Sequence, residues 1–214
     1  MGPSGAGRSH IKAEKCVGDF ASVLGGYAFP SDGYVEYGSH QVVRIGNVRN
    51  GYLDLSRAPV RWALVDDERI RKYELKAGDI LISMTGTRNK RDYGYIAIVP
   101  PGQRLLLNQR VGKLVPRHPI DSQYLSYFLR SPFFRDNLFP KATGTANQAN
   151  IGNSSIEEIP FRPPESVEEQ RRVVAFLDSL QAKINALKKL QSETAAELDA
   201  LMPSILSKAF RGEL

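Results

Sequence analysis

The stretch from Ser166 to Met202 constrains this 214-residue chain most, because its apolar residues recur at alternating steps of four and three. That spacing is typical of the narrow seam on a helix that wraps around another helix. The seam positions, eight apolar and two polar, are Val173, Leu177, Leu180, Ile184, Leu187, Gln191, Thr194, Leu198, Leu201 and Ile205. We predict one long helix that begins at a capping box of Ser166 and Glu169 and that ends or kinks at Pro203.

A helix of about 36 residues is roughly 50 Å long, and it cannot bury such a seam against itself. No other stretch of the chain has a matching helical pattern. We therefore predict that a second copy of the chain covers the seam, with packing along the helix's own domain as the alternative. Gln191 and Thr194 lie in mid-seam, where buried polar residues set register or orientation, and we predict that they mark the centre of the crossing.

The composition is that of an ordinary soluble protein, with 42% hydrophobic and 24% charged residues. No apolar run is long enough to cross a bilayer. Residues 1–16 lack the apolar core of a signal peptide, so we expect a flexible lead and a cytoplasmic protein. Cys16 is the only cysteine, which excludes a disulfide framework and a thiolate metal cluster.

The positive charge is confined to one part of the chain. Up to Pro164 there are 22 Lys and Arg residues against 15 Asp and Glu, whereas the remainder has 7 against 8. Within the first part, Arg88–Lys141 alone holds 10 basic and 3 acidic residues, which accounts for the whole excess. A localised basic region indicates a polyanionic partner; the alternative is a charge excess that only improves solubility.

Many short strands, then a few helices, then one long helix predict an α+β fold. We expect a globular domain over residues 17–164 with a curled mixed β-sheet and short helices. One long coiled-coil spacer helix and its tail follow over residues 165–214.

Local patterns predict individual elements of the globular domain. The predicted elements are a helix over Val17–Leu24, strands over Gln41–Val48 and Val60–Val65, a helix capped by Asp121 that runs to Arg130, a helix starting at Ser131-Pro132, a polar loop over Lys141–Gly152, and a short helix begun by a capping box of Ser154 and Glu157.

The sequence offers no catalytic or metal-binding constellation. His10, His40 and His118 stand apart without the spacing of metal ligands. There is no phosphate-binding Gly-rich loop with its lysine and no dinucleotide fingerprint, and no methyltransferase or nuclease motif. We therefore predict a chain that is not an enzyme and that itself binds no metal or cofactor.

Three polar loops, around residues 85–92, 108–110 and 141–150, bound the basic region and contain the residue types that contact duplex DNA. Arg and Lys pair with phosphates or guanine, Asn and Gln with adenine, and Ser and Thr with phosphate oxygens; ordinary solvated loops are the alternative. The candidate DNA contacts are Arg44 and Asn47 from a strand, the cations Arg88, Lys90, Arg91, Arg110 and Lys141, the amides Asn89, Asn108, Gln109, Asn147 and Gln148, and the hydroxyls Ser83, Thr85, Thr87, Thr143 and Thr145.

The chain resembles the specificity subunits of type I restriction–modification systems over roughly residues 17–214. The order and spacing of seven short segments carry the resemblance. They are Gly26–Pro30, Val43–Val48, Gly78–Thr87, Leu107–Val111, Ile159–Pro164, Glu169–Val173 and Ala209–Leu214.

The resemblance implies a target-recognition domain followed by a spacer helix, without an active site. The usual family member has two such units, which read the halves of a split DNA site, with the two spacer helices antiparallel. Modification subunits, which methylate adenine with S-adenosylmethionine, and a restriction subunit are the implied partners. Because this sequence has one unit, we predict a homodimer that reads an inverted repeat. The rival functions are a stand-alone coiled-coil DNA-binding regulator and an adaptor that binds the methylase without reading DNA.

Overall fold

The computed structural model describes residues 15–57, 62–63, 67–117 and 119–213, and it divides the chain into two compact units, Met1–Gln170 and Arg171–Leu214. The helices are α1 (Val17–Phe20), α2 (Asp67–Tyr73), α3 (Ser122–Leu129), α4 (Pro132–Leu138), α5 (Asn153–Glu157) and α6 (Val167–Phe210). The strands are β1 (Ala21–Gly25), β2 (Tyr34–Val35), β3 (His40–Val43), β4 (Val48–Arg49), β5 (Tyr52–Leu53), β6 (Trp62–Ala63), β7 (Glu74–Leu75), β8 (Ile80–Ser83), β9 (Thr85–Thr87), β10 (Ile96–Ile98), β11 (Leu105–Leu107), β12 (Val111–Pro116) and β13 (Gln148–Asn150).

A four-stranded antiparallel sheet in the order β1-β12-β8-β10 forms the centre of the first unit. All four residues of β8 are buried, which its run of β-branched and aliphatic residues favours. Helices α3 and α4 share a core cluster with this sheet, to which Leu125, Leu129 and Phe134 contribute fully buried side chains.

A second, mixed sheet in the order β2-β6-β3-β11-β7 lies in the same unit. Strands β3 and β11 are parallel, with Val43 opposite Leu107. Parallel neighbours end at the same edge of a sheet, so Arg44 and Asn108, the residues that follow these two, emerge side by side. Two two-stranded sheets complete the described strands: the hairpin β4–β5, and the pair β13–β9, whose strands are distant in sequence.

The predicted α+β class is confirmed, as are the helices that follow Asp121 and Ser131. The Asp121 carboxylate accepts hydrogen bonds from the Gln123 and Tyr124 amides, and the Ser131 hydroxyl accepts one from Phe134. The first turn of α6 is capped by the Ser166 hydroxyl, which accepts from the Glu168 and Glu169 amides. These three helices therefore begin where the sequence predicted.

Several local predictions were wrong. Val17–Leu24 is helical only to Phe20 and then becomes strand β1, because pairing with β12 outweighs its local helical pattern. Gln41–Val48 leaves the strand at Val43 for a 3₁₀ turn over Ile45–Asn47. The predicted 141–152 loop contains β13, which pairs with β9.

Two predicted helix ends also differ from the structure. Helix α5 starts after Gly152, so Ser154 lies inside the helix and is not its N-cap. Helix α6 continues through Pro203 to Phe210, because proline removes one amide donor and the exposed carbonyl that it frees can be solvated. Residues 1–14 of the predicted lead, with His10, and also His118 and most of the predicted Val60–Val65 strand lie outside the described residues.

Candidate nucleic-acid interface

The backbone of Met84, between β8 and β9, brings the three predicted loops together. Its amide donates to the Arg110 carbonyl at 3.0 Å, and its carbonyl accepts from the Ile151 amide at 2.8 Å. Strand β9 starts at the next residue. One buried position therefore connects the loops around residues 85–92, 108–110 and 141–150, although up to about 60 residues separate them in sequence.

Strands β9 and β13, with the turns at their ends, form a small ribbon. Gln148 lies opposite Thr87 and Asn150 opposite Thr85, and the Thr85 hydroxyl donates to the Asn150 side-chain oxygen at 3.1 Å. The backbones of Thr143 and Asn150 exchange two hydrogen bonds of 2.8 Å. The buried Ala149 fixes one face of the ribbon to the core, whereas Gln148 is exposed.

Arg88 and Asn147 cross-link the two halves of this ribbon. The Arg88 guanidinium Nη2 donates to the Ala142 carbonyl at 2.8 Å and more weakly to the Gly144 carbonyl at 3.4 Å. The Arg88 amide donates to the Asn147 carbonyl at 2.8 Å, and the Asn89 amide to the Asn147 side-chain oxygen at 3.0 Å. Two predicted DNA contacts are thus engaged within the chain.

Asp92 closes the 85–92 loop on itself. One of its carboxylate oxygens accepts from the Thr87 amide at 2.6 Å and from the Thr87 hydroxyl at 2.9 Å. Partial burial by itself raises the pKa of Asp92, but the hydrogen bonds from Thr87 and the positive charge of Lys90 outweigh it and hold the pKa below its usual value. A Cβ on Gly86 would lie 2.6 Å from this carboxylate, so the loop requires glycine there.

Arginine side chains line two adjacent clefts beside the ribbon. Arg44, Asn108, Gln109 and Arg110 line the first, at the carboxyl edge of the β3–β11 pair. Arg49, Arg57, Thr85 and Gly86 line the second, and Ile45 borders both. The 108–110 loop is held against Gly26, whose Cβ would lie 2.1 Å from the Asn108 carbonyl oxygen.

Guanidinium groups also stack on aromatic rings at the base of the 85–92 loop. The Arg135 guanidinium lies 4.9 Å from the Phe139 ring centre and 5.0 Å from that of Tyr95, and Arg91 lies 5.0 Å from Phe139. Arg135 also donates to the Arg91 carbonyl at 2.9 Å. The Arg91 side chain is therefore stacked on Phe139, and its charge remains accessible to solvent.

Three predicted contacts are less available than the rest. Asn47 is 6% exposed, and both side-chain amide atoms are bonded, to Arg44 and Asp54. Ser83 is 1% exposed and accepts from the Tyr95 amide. The side chains of Asn47 and Ser83 are therefore held within the protein and are poor candidates for contact with DNA. Lys141 forms an ion pair of 2.9 Å with Glu158, which lowers its availability to a ligand.

The sequence reasoning missed Arg49, Arg57, Asp92, Arg135 and Asn150. Asp92 and Arg135 lie within the basic segment, and Asn150 lies in a predicted loop, but residue type alone did not distinguish them from solvated neighbours. Arg49 and Arg57 precede that segment, so only the tertiary structure brings them beside Thr85.

The second unit exposes the predicted seam. In α6 the exposed fraction of the side chains is 60% at Leu187 and 62% at Leu198, and Val173, Leu180, Ile184 and Leu201 are also exposed. Among the residues that the structure describes, no group of three or more His, Cys, Asp or Glu side chains could hold a metal ion. No helix within the described ranges is long and apolar enough to span a membrane.

Comparison with known proteins gives one consistent family. A family model described as the type I restriction modification DNA specificity domain matches residues 12–197. The EcoKI specificity subunit of Escherichia coli strain K12 is 26% identical over 181 residues, covering 82% of this chain and 37% of the subunit. The EcoBI specificity subunit of Escherichia coli is 26% identical over 179 residues, covering 81% of this chain and 35% of the subunit.

Comparison with solved structures gives the same family. The HsdS subunit from Thermoanaerobacter tengcongensis matches with a TM-score of 0.61 at 25% identity, over 96% of this chain and 48% of that one. A chain from a study of complex assembly and conformational transition in the type I R-M system matches with a TM-score of 0.69 at 26% identity, over 96% and 49%. The present chain thus spans about half the length of these solved relatives and 37% or less of the curated ones. Because the family model covers most of its residues, the chain belongs to the type I restriction–modification DNA specificity domain family.

Proposed function

We propose that this chain is the sequence-reading, non-catalytic specificity component of a type I restriction–modification complex. The first unit contacts duplex DNA, and a second copy of the chain supplies a second reading unit. Modification subunits then methylate adenine with S-adenosylmethionine, and a restriction subunit joins the same complex. The observation that carries the proposal is the convergence of three basic, polar loops at Met84 in a chain of this family.

The chemistry of the surface fits duplex DNA. Arg44, Arg110, Arg49 and Arg57 line adjacent clefts, where guanidinium groups suit phosphates and guanine edges. The exposed amides that suit base edges are Asn89, Gln109 and Gln148, with Asn108 half-buried beside them. The exposed Thr145 hydroxyl suits a phosphate oxygen, whereas the hydroxyls of Thr85 and Thr143 donate to Asn150 within the chain. Lys90 and Arg91 add exposed positive charge.

A selection from random duplexes tests the reading function. The full chain, alone and with the modification subunit of its source, is incubated with a pool of duplexes that carry a long randomised centre, and the bound fraction is sequenced. Because symmetric dimers bind symmetric sites, we expect an inverted repeat interrupted by a gap of unspecified bases. Recovery of no preferred sequence would contradict the proposal.

A matched pair of arginine variants locates the contact surface. Arg110 follows the carboxyl end of β11, whereas Arg104 precedes the other end of the same strand, and both are exposed. Arg110→Ala is expected to weaken binding to the selected duplex and, if it removes one phosphate contact, to reduce the salt dependence of log K by about 0.9. Arg104→Ala should leave both unchanged, and an equal loss in the two variants would point to nonspecific charge.

The exposed seam of α6 supports pairing between two copies. If Gln191 and Thr194 lie at the centre of an antiparallel pair, Leu187 of one copy faces Leu198 of the other. A parallel pair would instead place each of these leucines opposite its own equivalent. Charged substitutions at these two leucines can therefore distinguish the antiparallel pair from the parallel pair.

Leu187→Glu is expected to weaken association by about a thousandfold or more, since each pair loses two seam leucines at about 2 kcal/mol or more each. Adding Leu198→Lys should restore association only in the antiparallel arrangement, because a parallel pair would face Glu with Glu and Lys with Lys. Sedimentation equilibrium over a range of concentrations measures both. A wild-type chain that stays monomeric would remove the homodimer from the proposal.

Partner binding separates the remaining rivals. Co-purification with a modification subunit, together with a selected DNA sequence, supports the specificity function. Co-purification without sequence preference indicates an adaptor. Tight, sequence-specific binding in the absence of any modification subunit indicates a stand-alone regulator.

A further inference from the structure

Arg88 has the residue type of a DNA contact, but its bonds point into the protein. Its side chain is half-buried, and Nη2 donates to the Ala142 and Gly144 carbonyls on the other side of the ribbon. Its backbone amide is bonded to Asn147 in the same turn. Side chain and backbone of one residue therefore hold the 141–147 turn from two directions.

The 141–147 turn is anchored by the Thr143–Asn150 backbone pair, but the part between these two residues has little apolar contact to hold it in place. Residues 143–147 are all exposed, so apolar burial contributes little to the position of this part of the chain. Gly144 and Ala146 have φ values of 116° and 52°, and the left-handed conformation is unfavourable for alanine. A turn of this kind needs specific hydrogen bonds to stay in one conformation, and Arg88 and Asn89 supply three of them from the opposite loop.

The opposite loop is itself fixed independently of Arg88. Asp92 accepts two hydrogen bonds from Thr87, and Gly86 lies against the Asp92 backbone as well as its carboxylate. Arg135 supports the same loop from α4 by donating to the Arg91 carbonyl. Arg88 thus connects a well-supported loop to a weakly supported one.

We infer that Arg88 is a positioning residue, which keeps the 85–92 loop and the 141–147 turn in one preorganised ribbon for the major groove. Base reading then belongs to the exposed side chains beside it, foremost Asn89, Thr145 and Gln148. A two-stranded ribbon fits the width of that groove. A ribbon that is already ordered before it binds DNA also loses less conformational entropy on binding. The role in DNA reading rests on the proposed function, whereas the ordering of the ribbon does not.

A matched pair of variants tests this inference. Arg88→Met keeps the aliphatic stem and removes charge and donors, and Lys90→Met removes one charge at an exposed position two residues away. The first measurement is hydrogen exchange of the peptides covering residues 85–92 and 141–150, without DNA. We expect faster exchange in Arg88→Met and wild-type exchange in Lys90→Met. Asn147→Ala, which removes the acceptor of the Asn89 amide, should accelerate exchange in the same peptides.

The second measurement is binding to the selected duplex and to a scrambled one between about 50 and 200 mM salt. Arg88→Met should bind the selected duplex about tenfold more weakly, with a reduced preference over the scrambled one and an unchanged salt slope. Lys90→Met should lower the salt slope by about 0.9 if Lys90 contacts a phosphate. Thermal unfolding confirms that each variant is folded, and Asn147→Ala replaces Arg88→Met if the latter does not fold.

Each outcome is decisive. Wild-type exchange in Arg88→Met would overturn the positioning role, and a salt slope that falls by about 0.9 would make Arg88 an ordinary phosphate contact. Faster exchange with no duplex preferred even by the wild-type chain would leave the ordering role standing and contradict the proposed DNA-reading function.

Discussion

The first unit buries large apolar side chains that the long helix leaves exposed. In the first unit, Phe134, Leu125 and Leu129 are completely buried. In α6, Phe176 and Leu187 are about as apolar but are 62% and 60% exposed. The first unit completes its core from its own residues, whereas the described residues of the second unit leave most of the seam on α6 exposed. Apolar periodicity can therefore indicate two different things: a core, or an interface.

The two regions also differ in how their polar groups are used. In the first unit, buried or half-buried groups such as Asn47, Arg88 and Asp92 are bonded within the chain and fix loops. In the second unit, by contrast, the Gln181 and Asn185 side chains form an exposed hydrogen bond across one turn of α6. The candidate surface is thus held in shape by hydrogen bonds within the chain, while α6 leaves many of its apolar side chains exposed.

The largest difference is expected from the same substitution made in both regions. Phe134→Ala removes a fully buried ring and should lower the free energy of unfolding by about 3–5 kcal/mol. Phe176→Ala removes an exposed ring, and its effect on the same unfolding transition should lie within about 0.5 kcal/mol. Urea denaturation followed by near-ultraviolet circular dichroism, dilute enough to keep the chain monomeric, measures both. Similar losses in the two variants would contradict the contrast between the buried core of the first unit and the exposed apolar side chains of α6.

A smaller effect is expected at Gln170, where the first turn of α6 belongs to the first unit. Its side chain is fully buried, accepts from the Asp121 amide at 2.8 Å and donates to the Pro119 and Pro164 carbonyls. Gln170→Ala leaves these backbone groups without their partner and should cost about 1–3 kcal/mol.

Gln181→Ala is the matched control for this position, because Gln181 is exposed on the same helix and is bonded only to Asn185 among the contacts identified for it. The same denaturation experiment should find the control within about 0.5 kcal/mol of wild type. Because alanine favours a helix more than glutamine does, helix propensity cannot cause a loss, and an equal loss in both variants would mean that the buried hydrogen bonds of Gln170 are not its source.

The sequence predicted features that depend on local periodicity and most of those that depend on a local cap, the exception being the cap predicted at Ser154. The four–three spacing predicted α6, and Asp121 and Ser131 marked the starts of α3 and α4. It failed where a distant partner decides. Residues 21–25 become a strand because β12 lies beside them, and residues 148–150 pair with a strand about 60 positions earlier. Neither partner can be identified from the local pattern.

The candidate surface shows the same division. All three loops were predicted from residue type, because polar and basic residues cluster there in the sequence. Their meeting at Met84 depends on hydrogen bonds between distant segments. Only the tertiary contacts of a side chain, as at Arg88, distinguish one that faces a ligand from one that holds a loop in place. Residue type predicts which contacts a side chain can make, but not whether its partner is a ligand or another part of the chain.

The smallest expected effect compares two ion pairs. In the first unit, Lys113 and Asp79 lie 3.1 Å apart with side chains 19% and 20% exposed, and Asp79 also accepts from the Lys76 amide. In α6, Lys189 and Glu193 are 3.7 Å apart and 78% and 52% exposed. Solvent and salt screen the second pair far more than the first.

Asp79→Ala should therefore lower the free energy of unfolding by about 1–2 kcal/mol, because it leaves a half-enclosed ammonium and a turn amide without their acceptor. Glu193→Ala should change the helical stability by about 0.3–0.5 kcal/mol. Raising the salt concentration to about 1 M should reduce the difference between Glu193→Ala and wild type almost to zero. The Asp79→Ala difference should largely persist, because the lost hydrogen bond to Lys76 is not screened. If salt removed both differences equally, the enclosure of the first pair would contribute nothing, and the two regions would not differ in how they stabilise charge.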